Sequence, residues 1–130
     1  MKKQLRNLSF FMVIIGLSAC ATTFRGVEVE PGATYFQGAL KALLEAPLPR
    51  VETVVKEVME ELDFVAIDVV SDKLKAEVRA RMADGTRVKI RIDAEDFETT
   101  WIRIRVGTFG EQSISRQIYK HIQRQLEGNS

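Results

Sequence analysis

At 130 residues the chain is long enough for one domain with a modest core and too short for several. Its 19 Lys+Arg nearly balance its 18 Asp+Glu, and it holds one cysteine and one histidine. A single cysteine excludes an internal disulfide and a cysteine metal cluster, and so few catalytic side-chain types supply general-base and metal-ligand chemistry thinly.

The first seven residues, MKKQLRN, carry Lys2, Lys3 and Arg6 and no acid. Leu8 to Leu17 follow as ten residues that are apolar apart from Ser9 and Gly16. A membrane-spanning helix needs roughly 20 apolar residues, so this run fits the core of a signal peptide instead. Leu17-Ser18-Ala19-Cys20 comes next and resembles the bacterial lipoprotein processing box. In that box small residues precede a cysteine that is acylated and becomes the new first residue. Acylation accounts for Cys20, which would otherwise be a free thiol in an oxidising compartment. Residues 1–19 are therefore expected to be cut away and the protein held to a membrane through lipidated Cys20. Ala21, rather than Asp, follows the cysteine, and within the lipoprotein class this resemblance implies the periplasmic side of the outer membrane, with the inner membrane as the alternative.

Without residues 1–19, 111 residues remain, with 16 Lys+Arg against 18 Asp+Glu, a formal −2. The charges are unevenly placed. Residues 28–72 hold three bases (Lys41, Arg50, Lys56) against ten acids, and residues 73–130 hold twelve bases against eight acids. Such asymmetry implies a dipolar surface, which bears on partners rather than on fold.

Residues 20–33 read as a flexible tether, with Thr22, Thr23, Gly26, Pro31 and Gly32 and no sustained period. A folded domain is expected over 34–127. Tyr35 to Glu45 alternates weakly and predicts a first strand ended by Pro47 and Pro49. Val51, Val54, Val55, Val58 and Leu62 then recur at helical spacing, with Glu52, Lys56, Glu57, Glu60 and Glu61 largely on the other face. Phe64 to Val70 is rich in β-branched residues and predicts a second strand, with Ser71-Asp72 turning into a third over Leu74–Met82.

The stretch MADGTRVKIRI fixes a register. Ala76, Val78 and Ala80 must share a face with Val88, Ile90 and Ile92. A two-residue Asp84-Gly85 turn would put Arg81 on that apolar face. A three-residue loop, Ala83-Asp84-Gly85, instead pairs Ala80 with Val88 and Val78 with Ile90, and places Gly85 at the left-handed position it requires. TTWIRIRV alternates again, with Ile102, Ile104 and Val106 inward and Trp101, Arg103 and Arg105 outward. Ile114, Ile118, Ile122 and Leu126, spaced by four, predict a closing helix. The expected fold is an α+β two-layer sandwich: a mainly antiparallel sheet of about five strands, order β-α-β-β-β-β-α, with both helices on one face.

At ADGTRVKIRI and TWIRIRVGTFGEQSISRQI the chain resembles a family of short bacterial lipoproteins of unknown function. The pattern combines a lipoprotein signal, an acidic helix, an Asp-Gly-Thr hairpin and an Arg-Val-Gly-x-Phe-Gly turn before a closing helix, over roughly Phe36 to Leu126. Glu111 stands where that family is expected to carry Asp. The resemblance implies the fold and the anchor and brings no catalytic residues with it.

His121 lies beside the apolar stripe of the last helix and reads as a boundary residue or a fully solvated one. With one histidine, a metal site would need a tight acidic cluster, and none has that spacing. Ser113 reads as a helix cap. RVGTFGEQS lacks the Lys-Ser/Thr of a phosphate loop, and Glu111 would repel an anion there. Phe109 is expected to plug the core. Glu60, Glu61 and Asp63 read as a solvated helix face. No enzyme activity and no cofactor are expected.

The outward sheet face is different. It sets Arg81 opposite Arg87 and Arg79 opposite Lys89, with Arg91, Trp101, Arg103 and Arg105 nearby, and only partial compensation from Glu77 and Asp93. Like charges opposed in a sheet are destabilising. Solvation can absorb that and leave a plain exposed charged face. The sharper reading makes these residues the candidate face for an anionic partner, an acidic protein or an anionic glycolipid. The alternative is a self-associating structural lipoprotein, in which the acidic first helix of one copy docks on the basic face of another. Nucleic acid is disfavoured by location.

Overall fold

The computed structural model describes residues 32–128. Cys20, the signal segment 1–19 and nearly all of the tether 20–33 lie outside the described residues. The elements run β1 (Ala33–Phe36), β2 (Ala39–Leu44), α1 (Leu48–Glu61), β3 (Val65–Ser71), β4 (Lys75–Arg81), β5 (Arg87–Ala94), β6 (Thr100–Val106) and α2 (Gln112–Gly128). Six strands form one antiparallel sheet in the order β1-β2-β6-β5-β4-β3. The α+β sandwich is as expected, with one strand more.

The extra strand arises because the single strand expected over Tyr35–Glu45 is a hairpin. Gln37 and Gly38 both take positive φ, 50° and 79°, and reverse the chain between the paired Phe36 and Ala39. Positive φ at both central residues suits the right-handed twist of the flanking strands. Pro47 and Pro49 end the strand as expected and also begin α1: Pro47 takes the N-cap position and Pro49 sits within the first turn, where a missing N–H costs nothing.

From β4 to β6 the register is the expected one, with Ala80 opposite Val88, Val78 opposite Ile90 and Ile90 opposite Ile104. Gly85 has φ 91° and its N–H bonds the Met82 carbonyl at 2.9 Å, closing the three-residue loop. The inward residues of β2, β4, β5 and β6 meet α1 through Val51, Val54, Val55, Val58 and Met59, and α2 through Ile118, Tyr119 and Ile122. Each fully buried Val or Ile in such a layer contributes roughly 1.5–3 kcal/mol, which holds a valine-rich α1 that is a mediocre helix on propensity alone. α1 lies over β3, β4 and β5, and α2 over β2 and β6. Thr100 is fully buried and donates its hydroxyl to the Ala46 carbonyl at 2.7 Å, tying the start of β6 to the segment that leads into α1.

β3 is an edge strand with a register shift between Val65 and Asp68, where Ala66 takes φ 53°. A bulge of this kind twists an open edge away from other strands.

Candidate functional site

Both helices pack on one face of the sheet, so the other is open, and the pairing arranges its side chains in transverse rows. One row runs Lys41, Arg103, Arg91, Glu77 and Val70 across β2, β6, β5, β4 and β3. The next runs Arg105, Lys89, Arg79 and Asp68. A third holds Arg87, Arg81 and Val65. Trp101, Asp93 and Lys75 form a fourth. All seven arginines and lysines expected on this face (Arg79, Arg81, Arg87, Lys89, Arg91, Arg103 and Arg105) are exposed, and Trp101 is half-buried.

Compensation is local and one-sided. Glu77 accepts from Arg79 Nε at 2.5 Å and pairs with Arg91 Nε at 3.6 Å. The Arg79 guanidinium holds the Glu77 carboxyl below the usual carboxylate range. Asp68 lies opposite Arg79 at the β3 edge. That leaves five directly opposed like-charge pairs: Arg81 with Arg87, Arg79 with Lys89, Lys89 with Arg105, Arg91 with Arg103, and Lys41 with Arg103. Each costs some tenths of a kcal/mol in a sheet. The local field of such a patch is set by these cations, whatever the net charge of the chain.

Trp101 is held on both sides. Its Nε1 donates to Glu95 Oε2 at 2.8 Å, and Lys41 Nζ lies 4.6 Å from its ring centroid. Lys41 and Asp68 are members of this face that sequence reasoning missed. β2 and β3 alternate with it, yet the placement of β2 beside β6 has no local signal in the sequence.

At the Gly85 end of the face an open cleft of 720 Å³ is lined by Arg87, Lys89 and Arg105 together with the Gly107–Glu111 segment. Arg105 Nη2 donates to the Thr108 carbonyl at 3.0 Å, which stiffens that rim. Phe109, expected to plug the core, is 93% exposed on it. Gly107 and Gly110, at φ 73° and 84°, carry the chain around the sheet end and turn the intervening Phe109 outward, while Tyr119 and Ile118 fill the core below.

The other singled-out residues do not assemble. Ser113 is not the cap of α2: the Glu111 carbonyl accepts the first helical bond, from Ser115 N–H at 3.0 Å, so Glu111 occupies the cap and Ser113 stands exposed in the first turn. Ser115 is buried and its hydroxyl is committed to the same Glu111 carbonyl at 2.8 Å. His121, six positions on, is rotated roughly 120° around the helix from Ser115 and is half-buried. Among the described residues no group of three or more His, Cys, Asp and Glu is placed to hold a metal ion, and no helix is long and apolar enough to cross a membrane.

A family model described as "Protein of unknown function (DUF3568)" matches residues 4–125. No curated protein matches the chain.

Proposed function

The chain belongs to DUF3568, a family of proteins of unknown function, and on that premise we propose a lipid-anchored, non-catalytic binding module of the bacterial envelope whose basic sheet face receives an anionic partner. The observation that carries this reading is the run of like-charge pairs in register across β2, β6, β5 and β4. A sheet selected only for stability would alternate signs across its strands. Here the acids of the face, Asp68, Glu77 and Asp93, lie on β3, β4 and β5, and the cations of β2, β6, β5 and β4 are left facing one another. The partner is an acidic protein surface or an anionic glycolipid. The anchor is the acylated Cys20 after the signal core 8–17, and the family match, which starts at residue 4, takes that leader in.

The test is binding of the lipidated protein to vesicles bearing an anionic glycolipid and to an acidic peptide, each at low and high salt. Exposed charges are screened beyond roughly 8–10 Å at physiological ionic strength, so binding should weaken as salt rises. Salt-independent binding, or none to either probe, refutes the reading.

A second reading rests on the exposed Glu57, Glu60 and Glu61 of α1, which give one copy an acidic ridge for the basic face of another. Sedimentation at two salt concentrations separates the readings, since only self-association makes the protein's own mass fall as salt rises.

A further inference from the structure

Both ends of the sheet expose aromatic side chains, Phe36 and Phe109 at one and Phe97 at the other, but the chain enters at only one of them. Ala33, the first residue of β1, lies in the row Ala33, Ala42, Ile102, Ile92, Ala76 and Ser71. β1 runs away from that row towards the Gln37-Gly38 turn, so the residues before Ala33 leave at the end bearing the β3–β4 turn and the β5–β6 loop. Each of those carries one large apolar side chain in water: Leu74 is 65% and Phe97 96% exposed. With Pro47 and Pro49 they border a groove of 460 Å³.

Neither side chain is there because its loop is loose. Asp96 accepts from the Glu98 and Thr99 N–H groups, both at 2.8 Å, and the Glu95 N–H bonds the Thr99 carbonyl at 3.0 Å. Asp72 accepts from the Leu74 and Lys75 N–H groups at 2.8 and 2.9 Å, and the Leu74 carbonyl takes the Ala94 N–H at 2.9 Å. The turns are built, and they hold an aliphatic and an aromatic group outward together. Single exposed apolar residues are ordinary, but two on adjoining rigid turns beside two prolines form a patch of the kind that marks a contact surface.

We infer that this end rests on the bilayer that holds the lipid anchor, with Phe97 and Leu74 entering the boundary between headgroups and acyl chains. The inference rests on acylation of Cys20. The described chain begins at this end, so the residues between Cys20 and Ala33 join the domain to the membrane here. The two turns carry Asp72, Glu95, Asp96 and Glu98 against Lys73 and Lys75, an acidic balance that fits zwitterionic lipid better than anionic headgroups. The strands then stand upright on the membrane. The basic face is turned sideways into the aqueous compartment, where a partner reaches it without competition from the lipid surface.

The test uses the full lipidated chain in vesicles of zwitterionic phospholipid. With Cys20 acylated, Phe97→Cys, Phe109→Cys and Lys89→Cys each supply one free thiol for an environment-sensitive fluorophore, reporting the tether end, the opposite end and the basic face. The label at 97 should shift to the blue and be quenched by brominated acyl chains, while those at 109 and 89 keep the emission they have in water. Equal responses at 97 and 109, or an anchored protein whose label at 97 is unquenched, overturns the upright orientation and leaves the anchor standing. Quenching at 89 in the same zwitterionic vesicles also overturns it, because the sheet would then lie flat on its basic face. Protein that washes off the vesicles in high salt shows the anchor itself to be wrong, and the orientation with it.

Discussion

Gly38 and Gly110 meet backbone against backbone, joining the β1–β2 turn to the segment between β6 and α2. A Cβ on Gly110 would collide with the Gly38 backbone, and one on Gly38 would come within 2.9 Å of the Phe109 carbonyl oxygen. Both glycines have positive φ, 84° and 79°. Gly110→Ala therefore combines left-handed strain with overpacking against backbone, and should cost about 3 kcal/mol. Thermal unfolding checks it: a melting temperature within a degree of wild type would show that this contact relaxes freely.

Gly85 isolates the strain alone. It has φ 91°, and a Cβ there would meet nothing within 4 Å. Gly85→Val should destabilise by roughly 1–2 kcal/mol, less than Gly110→Ala, without altering the β4–β5 register. Denaturant titration of the two variants side by side gives the comparison, and the reverse ranking would contradict it.

Charge reversal tests the basic face. Arg79 and Arg81 are exposed and outside the core, so Arg79→Glu with Arg81→Glu should abolish binding to an anionic probe and change stability by less than about 1 kcal/mol. Undiminished binding by the double variant would leave the face as solvated surface.

The acid response follows from the turns. Asp72 is held below the usual carboxylate range by the Leu74 and Lys75 N–H groups, Asp84 by Thr86, and Asp96 by Glu98 and Thr99. Depressed folded-state values mean that this stability is present above the unfolded carboxyl value of roughly 4 and is lost as pH falls through the folded ones. Asp96→Asn keeps an acceptor oxygen and removes the charge, so its deficit against wild type should be measurable at neutral pH and shrink below about pH 4. A deficit that is constant with pH would assign the effect to hydrogen-bond geometry instead of charge.

Cys20→Ser should leave the protein soluble or unprocessed, because the acyl acceptor is gone. Mass spectrometry of the wild-type N-terminus decides the matter: an unmodified Cys20 on protein that high salt releases from membranes would end the lipoprotein reading.

The β4–β5 hairpin was legible because a one-residue slip would move Arg81 onto the apolar face, a penalty visible in the sequence itself. The β1–β2 hairpin was not, since Gln37-Gly38 lacks the Asn-Gly or Asp-Gly signature and the alternation of Leu40, Ala42 and Leu44 reads as one strand with Tyr35. Phe109 was misplaced because aromatics default to the core, whereas glycines at 107 and 110 aim it outward. The basic face was readable strand by strand in β4, β5 and β6. Its extension to Lys41 depends on β2 lying beside β6, which only the folded sheet specifies.

That placement of β2 has a kinetic consequence. The β3–β6 meander joins neighbours through short turns, so its contacts close small loops and can form early. β2 has no place in the sheet until β6 exists, because Leu40 pairs with Ile104 and Ala42 with Ile102, across the whole of α1 and three intervening strands. The N-terminal hairpin therefore docks late, and the Gly38–Gly110 contact that locks it is among the last to form. Variants there should speed unfolding and leave the refolding rate of the meander nearly unchanged.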